Sequence, residues 1–235
     1  MAIRYIFFDL DGTLLPMDQD QFIRSYMGAL STYMIPHGFE PQQFIKAIWN
    51  GTAAMFSNDG SQTNEQVFWD SFTGIYGPDI RHYEPVLACF YRTDFSNVQV
   101  SCGFDPKAGK TIQKLKDMGF EIILATQPFF PSLATEARMK WAGLSCDDFK
   151  LYTTYENSHF CKPNPSYYQE ILDKLGISAD ECLMVGNDAT EDLIAQTLGM
   201  KVFLITDCLI NKNNVNISKY PQGNLDALMD YIQSM

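Results

Sequence analysis

FFDLDGTLL, Phe7 to Leu15, is the stretch on which the reading of this chain turns. An apolar run from Ile3 to Phe8, broken only by Arg4, ends in Asp9. One residue separates Asp9 from Asp11, and Gly12 and Thr13 then turn the chain. Side chains alternate along a strand, so Asp9 and Asp11 point to the same side. Two carboxylates that close resist ionising together unless a cation or a shared proton compensates. A plain strand end followed by an Asp-Gly turn would read the same way, so the decision falls to what lies downstream.

Composition narrows the classes first. The 235 residues suffice for one large domain or a core with an insert. Hydrophobic residues at 46% and aromatics at 14% imply a packed globular fold. A net charge of -11 repels nucleic acid and anionic lipid, so neither nucleic acid nor membrane is an expected partner. The apolar runs are too short for a membrane span, and the amino terminus turns acidic too soon for a signal peptide. The six cysteines lack CxxC spacing and read as free thiols in a reducing cytoplasm. The three histidines also lack ligand spacing, which argues against zinc.

Residues 16–98 read as helical throughout. Phe22, Tyr26, Leu30 and Met34 recur every fourth residue and form one apolar stripe. Pro36 and Gly38 end that helix, and Pro41 opens the next, with Phe44, Ile45 and Ile48 inward. Further helices are expected over 63–76 and about 81–93. From about residue 99 strands and helices alternate. Asp105-Pro106 caps a helix that buries Ile112, Leu115 and Met118 and stops at Gly119. Strands follow at 121–127, 150–153, 182–185 and 201–205, with helices at 131–142, 165–175, 189–198 and 224–233. The tract 207–221 reads as a surface loop.

This alternation implies an α/β fold: a Rossmann-like parallel sheet from residues 1–15 and 99–235, with 16–98 as an inserted all-helical cap domain. Ligands bind such sheets beyond the carboxyl ends of the strands. Asp9 and Asp11, Thr126 and Gln127, and Asn187 and Asp188 all lie at those ends, and Lys162 enters from a loop. A carboxylate nucleophile can form an acyl-phosphate. Hard oxygens at Asp9 and Asp188 suit Mg2+, and Asp11 can protonate a leaving oxygen. Magnesium and a lysine stabilise a transferring phosphoryl group.

These residues resemble the motifs of the haloacid dehalogenase superfamily, in its phosphatase-like branch with a helical cap after the first strand. DLDGTL (9–14), LAT (124–126), Lys162 in CKPNP, and GNDATED (186–192) fall in the family's order. The resemblance implies Asp9 as nucleophile, Asp11 as acid and base, and Thr126 and Lys162 as phosphate ligands, with Gln127 beside them. It implies Mg2+ on Asp9, the Asp11 backbone carbonyl and an acid of the fourth motif. Asp188 is the expected ligand and Asn187 the alternative. Asp192, or less readily Glu191, would orient the metal's waters or Lys162. Gln127 and Asn187 depart from the commoner Asn and Asp.

The expected activity is magnesium-dependent hydrolysis of a small-molecule phosphomonoester in the cytoplasm, through an aspartyl-phosphate. A phosphosugar mutase is the nearest alternative. A 2-haloacid dehalogenase needs neither a leaving-group acid nor a metal, and a non-catalytic binding protein would have no reason to keep Asp9, Asp11 and Lys162.

Overall fold

The computed structural model describes residues 2–235. Six parallel strands form one sheet in the order β3-β2-β1-β4-β5-β6. They are β1 (Tyr5–Phe8), β2 (Glu121–Leu124), β3 (Leu151–Tyr152), β4 (Cys182–Gly186), β5 (Lys201–Ile205) and β6 (Gln222–Gly223). Alternation divides β1 cleanly. Ile6 and Phe8 join the larger apolar core, and Tyr5 and Phe7 join the core on the opposite face. Helices cover both faces, as an all-parallel sheet requires. The helices α5 (Pro106–Asp117) and α8 (Leu225–Gln233) bury Ile112, Leu115, Leu228 and Ile232 in the first core. The helix α7 (Pro165–Leu175) buries Tyr167, Tyr168, Ile171 and Leu172 in the second.

Between β1 and α5 the described chain forms no strand. The helices α1 (Gln19–Met34), α2 (Pro41–Phe56), α3 (Asn64–Tyr76) and α4 (Glu84–Arg92) follow one another, with 3₁₀ turns between and after them. Phe22, Tyr26, Leu30 and Met34 are all buried, so the four-residue stripe is the packed face of α1. Each such side chain contributes about 1.5–3 kcal/mol by leaving water. The two crossings between insert and sheet run side by side, since Gly103 N–H donates to Pro16 O at 2.7 Å. The insert is also fastened at the start of α3. Asn64 N–H donates to Ser158 O and Glu65 N–H to Tyr155 O, both at 2.8 Å.

Several boundaries differ from the expectation. Met118 is exposed, because α5 ends at Asp117 and turns out at Gly119, whose φ is +89°. The expected helix over 81–93 begins at Glu84, after a 3₁₀ stretch opened by Pro78. Residues 189–198 form turns and then a 3₁₀ helix over Leu193–Leu198. Asp188 Oδ1 accepts the Thr190 and Glu191 N–H groups there, and Asp192 Oδ2 accepts the Asp188 N–H. The edge strand β6 was not expected, for two residues leave no periodic signal.

Candidate active site

In-register pairing sets the site. Phe8 lies opposite Leu124 on one side and Val185 on the other, so β1, β2 and β4 end level. Asp9, Thr126 and Asn187 therefore emerge on one edge, beside the insert. The chain then turns sharply at Gly12, where φ is +86° and a Cβ would stand 2.3 Å from Asn187 Nδ2. Only glycine meets both demands.

Asp9 is buried, as are Lys162 and Asp192. The Lys162 ammonium donates to Asp9 Oδ1 at 3.0 Å and to Asp192 Oδ1 at 2.7 Å. Burial works against the Lys162 charge, but the carboxylates of Asp192 and Asp9 outweigh it and raise its pKa. Burial raises Asp9 to about 7, against the pull of Lys162 and helped by the nearby Asp192 and Asp11. Asp192 thus orients Lys162, and its second oxygen accepts the Asp188 N–H at 2.9 Å. The absence of a side chain at Gly186 makes room, since a Cβ there would lie 2.1 Å from Asp192 Oδ2.

Thr126 lies two residues beyond the end of β2. Its carbonyl accepts the Thr153 hydroxyl at 2.7 Å and the Tyr167 hydroxyl at 2.8 Å. Its own hydroxyl is fully buried and has no partner. Gln127 exchanges two 3.0 Å hydrogen bonds with the Lys162 backbone, one in each direction. Its amide therefore fixes the lysine loop against the end of β2.

The fourth motif separates into two roles. Thr13 Oγ1 donates to Asn187 Oδ1 at 2.9 Å and lies 3.4 Å from Asp9 Oδ2, which brings the Asn187 amide oxygen alongside Asp9. Asp188 Oδ1 instead accepts the N–H groups of Thr190 at 2.7 Å and Glu191 at 2.9 Å. Glu191 is raised to about 8, chiefly by burial.

Arg138 was not anticipated. It lies on α6 (Ser132–Trp141), fully buried, and donates through Nη1 to Asp11 Oδ2. Its guanidinium stands 4.3 Å from the centre of the Phe130 ring. The other Asp11 oxygen is buried and without a partner. The available signal was phase: Ala134, Arg138 and Trp141 fall on one helical face, and both neighbours are buried.

A cavity of about 480 Å³ opens from this edge between sheet and insert. Asp11, Gln127 and Glu191 line its inner end, and α1–α4 supply most of its wall. Thr52 contributes to that wall, whereas Asn58 is buried against Gln62 and Asn64 and serves the α2–α3 loop.

The order of these residues along the chain, and their meeting on one sheet edge, agree with one family. The model for haloacid dehalogenase-like hydrolases matches residues 3–196. The chain belongs to that family. As a haloacid dehalogenase-like hydrolase it is 24% identical over 233 residues to pyrophosphatase PpaX of Bacillus cereus (strain AH820), covering 99% of this chain and 96% of the relative. Among solved structures it resembles the HAD-hydrolase YfnB from Bacillus subtilis, described as bound to magnesium, with a TM-score of 0.57 and 19% identity over 99% of this chain and all of the other. It resembles the L-2-haloacid dehalogenase RSc1362 as closely, with a TM-score of 0.59 and 16% identity over 99% and 100%. These structural likenesses carry the fold, not the reaction. Among the described residues no helix is long and apolar enough to cross a membrane.

Proposed function

We propose that this hydrolase is a magnesium-dependent phosphatase that cleaves a small-molecule phosphomonoester through an aspartyl-phosphate on Asp9. The observation that carries the reading is the pairing of Asp9 with the buried Lys162, at the level of a buried Thr126 hydroxyl that lacks a partner. A cation and an open donor beside a carboxylate suit a phosphoryl group in flight. Asp9 attacks phosphorus, and the bond from phosphorus to the leaving oxygen breaks. Asp11, through its unpartnered oxygen, gives that oxygen a proton. Asp11 then takes a proton from water, which attacks the same phosphorus, breaks its bond to Asp9 and releases inorganic phosphate.

The residues fit magnesium. The donors at hand are all oxygen: the Asp9 carboxylate, the Asp11 backbone carbonyl and the Asn187 amide oxygen. Among the described residues no three His, Cys, Asp or Glu side chains form a cage, and Mg2+ typically keeps several waters and takes one or two carboxylates plus substrate phosphate. A cation there would offset the burial and the nearby carboxylates that raise Asp9. Geometry favours Asn187 over Asp188 as the third ligand, because Thr13 holds the Asn187 amide oxygen beside Asp9 while Asp188 Oδ1 turns to two backbone N–H groups. The metal would supply charge neutralisation at the phosphoryl oxygens.

The insert acts as the cap that selects substrate and excludes water. Dehalogenation is disfavoured because it has no use for Asp11 as an acid. The test is release of inorganic phosphate from p-nitrophenyl phosphate, with and without Mg2+ and after EDTA. Metal-dependent release supports the reading; undiminished release in EDTA contradicts the metal, and no release with any monoester contradicts the phosphatase. Isomerisation of a phosphosugar without net phosphate release would identify the mutase.

A further inference from the structure

The cavity that would receive the leaving group has an unusual balance of charge. Its lining includes Asp11, Glu65, Glu84, Glu156 and Glu191, and among the described residues no lysine, arginine or histidine. The nearest bases are already engaged: Arg81 pairs with Glu84 at 2.8 Å and lies 5.4 Å from the centre of the Trp69 ring, Arg138 pairs with Asp11, and Lys162 is held by Asp9 and Asp192. Glu156 caps α6 through the Ser132 N–H and hydroxyl. Among the described residues no side-chain hydrogen bond or ion pair engages the Glu65 carboxylate. The rest of the wall is mainly aromatic and aliphatic, with Phe68, Trp69, Tyr91, Phe129 and Tyr155 contributing rings. Burial first, then the nearby Glu156 and Glu84, raise Glu65 against the pull of Arg81.

We propose that the leaving group of the physiological substrate is a bulky, largely apolar and aromatic alcohol without negative charge, which makes inorganic pyrophosphate and phosphate esters of small hydroxy acids poor substrates. The inference rests on the phosphatase reading and names the substrate class of that same site. A cavity of about 480 Å³ is of the size that buries a drug-sized ligand. A leaving phosphate or a carboxylate-bearing fragment would underfill it, and would bring an anion against Glu65, while the nearby Arg81 is already paired with Glu84. Like charges set against each other at a desolvated contact are the means by which a site rejects a wrong partner. An aromatic leaving group instead stacks on Trp69 and Tyr155, and a positively charged substituent would find Glu65.

The experiment compares kcat/KM for benzyl phosphate, phosphoglycolate and pyrophosphate in saturating Mg2+. It also compares binding of the matched phosphonates 2-phenylethylphosphonate and 3-phosphonopropionate by calorimetry, which requires no turnover. Benzyl phosphate is expected to exceed both anions by about 100-fold, and the phenyl phosphonate to bind tighter in the same sense. Glu65→Lys should narrow the benzyl-to-glycolate ratio about tenfold and Glu65→Gln less, whereas Trp69→Ala should weaken only the aromatic ligands. Equal or reversed preference in turnover and binding overturns the proposal and leaves the phosphatase reading standing. Preferential binding of the phenyl phosphonate without turnover of any ester upholds the ligand class and removes the phosphatase reading.

Discussion

Gln127 and Lys162 are joined by two hydrogen bonds of 3.0 Å, the amide of one closing on the backbone N–H and C=O of the other. The glutamine therefore does for the lysine loop what a strand ladder does for a strand: it sets its height against the sheet. Gln127→Ala should lower kcat/KM by about 10- to 100-fold through misplacement of the ammonium. It should cost about 1–2 kcal/mol in urea unfolding, the scale of two hydrogen bonds partly replaced by water. Unchanged kinetics in a folded variant would show that the ion pairs to Asp9 and Asp192 hold Lys162 unaided.

Arg138→Met tests the unforeseen pair. Removing the guanidinium, which lies against the Phe22 and Phe130 rings, leaves the Asp11 carboxylate without its partner. Breaking a buried pair from one side costs about 3–5 kcal/mol, and the 17% exposure of the Asp11 side chain places this case near 3. If Asp11 is the general acid, the loss in phosphorylation rate should be larger for an alkyl phosphate than for p-nitrophenyl phosphate, whose leaving group needs little proton help. Equal losses for both would make Arg138 a structural residue only.

Asn187 and Asp188 are neighbours with different tasks. Asn187→Ala should raise the Mg2+ concentration needed for half-maximal activity at least tenfold, a scale typical of disturbed metal sites. Asp188→Ala should keep the metal requirement and lose about 1 kcal/mol of stability, as for a deleted cap. The reverse pattern would return the ligand role to Asp188.

How much of this was legible depends on how far apart the partners stand in sequence. The apolar stripe of α1 and the Asp9 strand are local patterns, and both fold as they read. The proposed preference for Asn187 over Asp188 rests on Thr13, 174 residues away from Asn187, and no period in the chain records that contact. Arg138 finds Asp11 across 127 residues and looks, in sequence, like a polar residue on a helix. The expected helix over 189–198 is instead a run of turns followed by a 3₁₀ helix over Leu193–Leu198. The cavity's lack of bases could not be seen before folding decided which side chains of four helices face inward.

A pH dependence of stability follows from Glu170. It is half-buried, and although burial opposes the charge, Lys174 at 2.6 Å and His159 at 2.7 Å bring its pKa below the ordinary value of 4.5. A carboxyl depressed on folding adds stability above its unfolded pKa and loses it as pH falls through the folded value. The advantage of the wild type over Glu170→Gln in urea unfolding should therefore be constant from pH 7 down to about 5 and shrink below 4.5. An advantage that grew on acidification would contradict the assignment.

The central claim is that Asp9 carries the phosphoryl group, and trapping that group tests it most directly. The enzyme is mixed with substrate phosphorylated with a radiolabel in Mg2+, quenched in acid within a single turnover, and digested for peptide mapping. Label on the peptide containing Asp9, released by hydroxylamine and absent from Asp9→Asn, is the predicted result. Phosphate release by Asp9→Asn at a rate near that of the wild type, or label on any other residue, would contradict it.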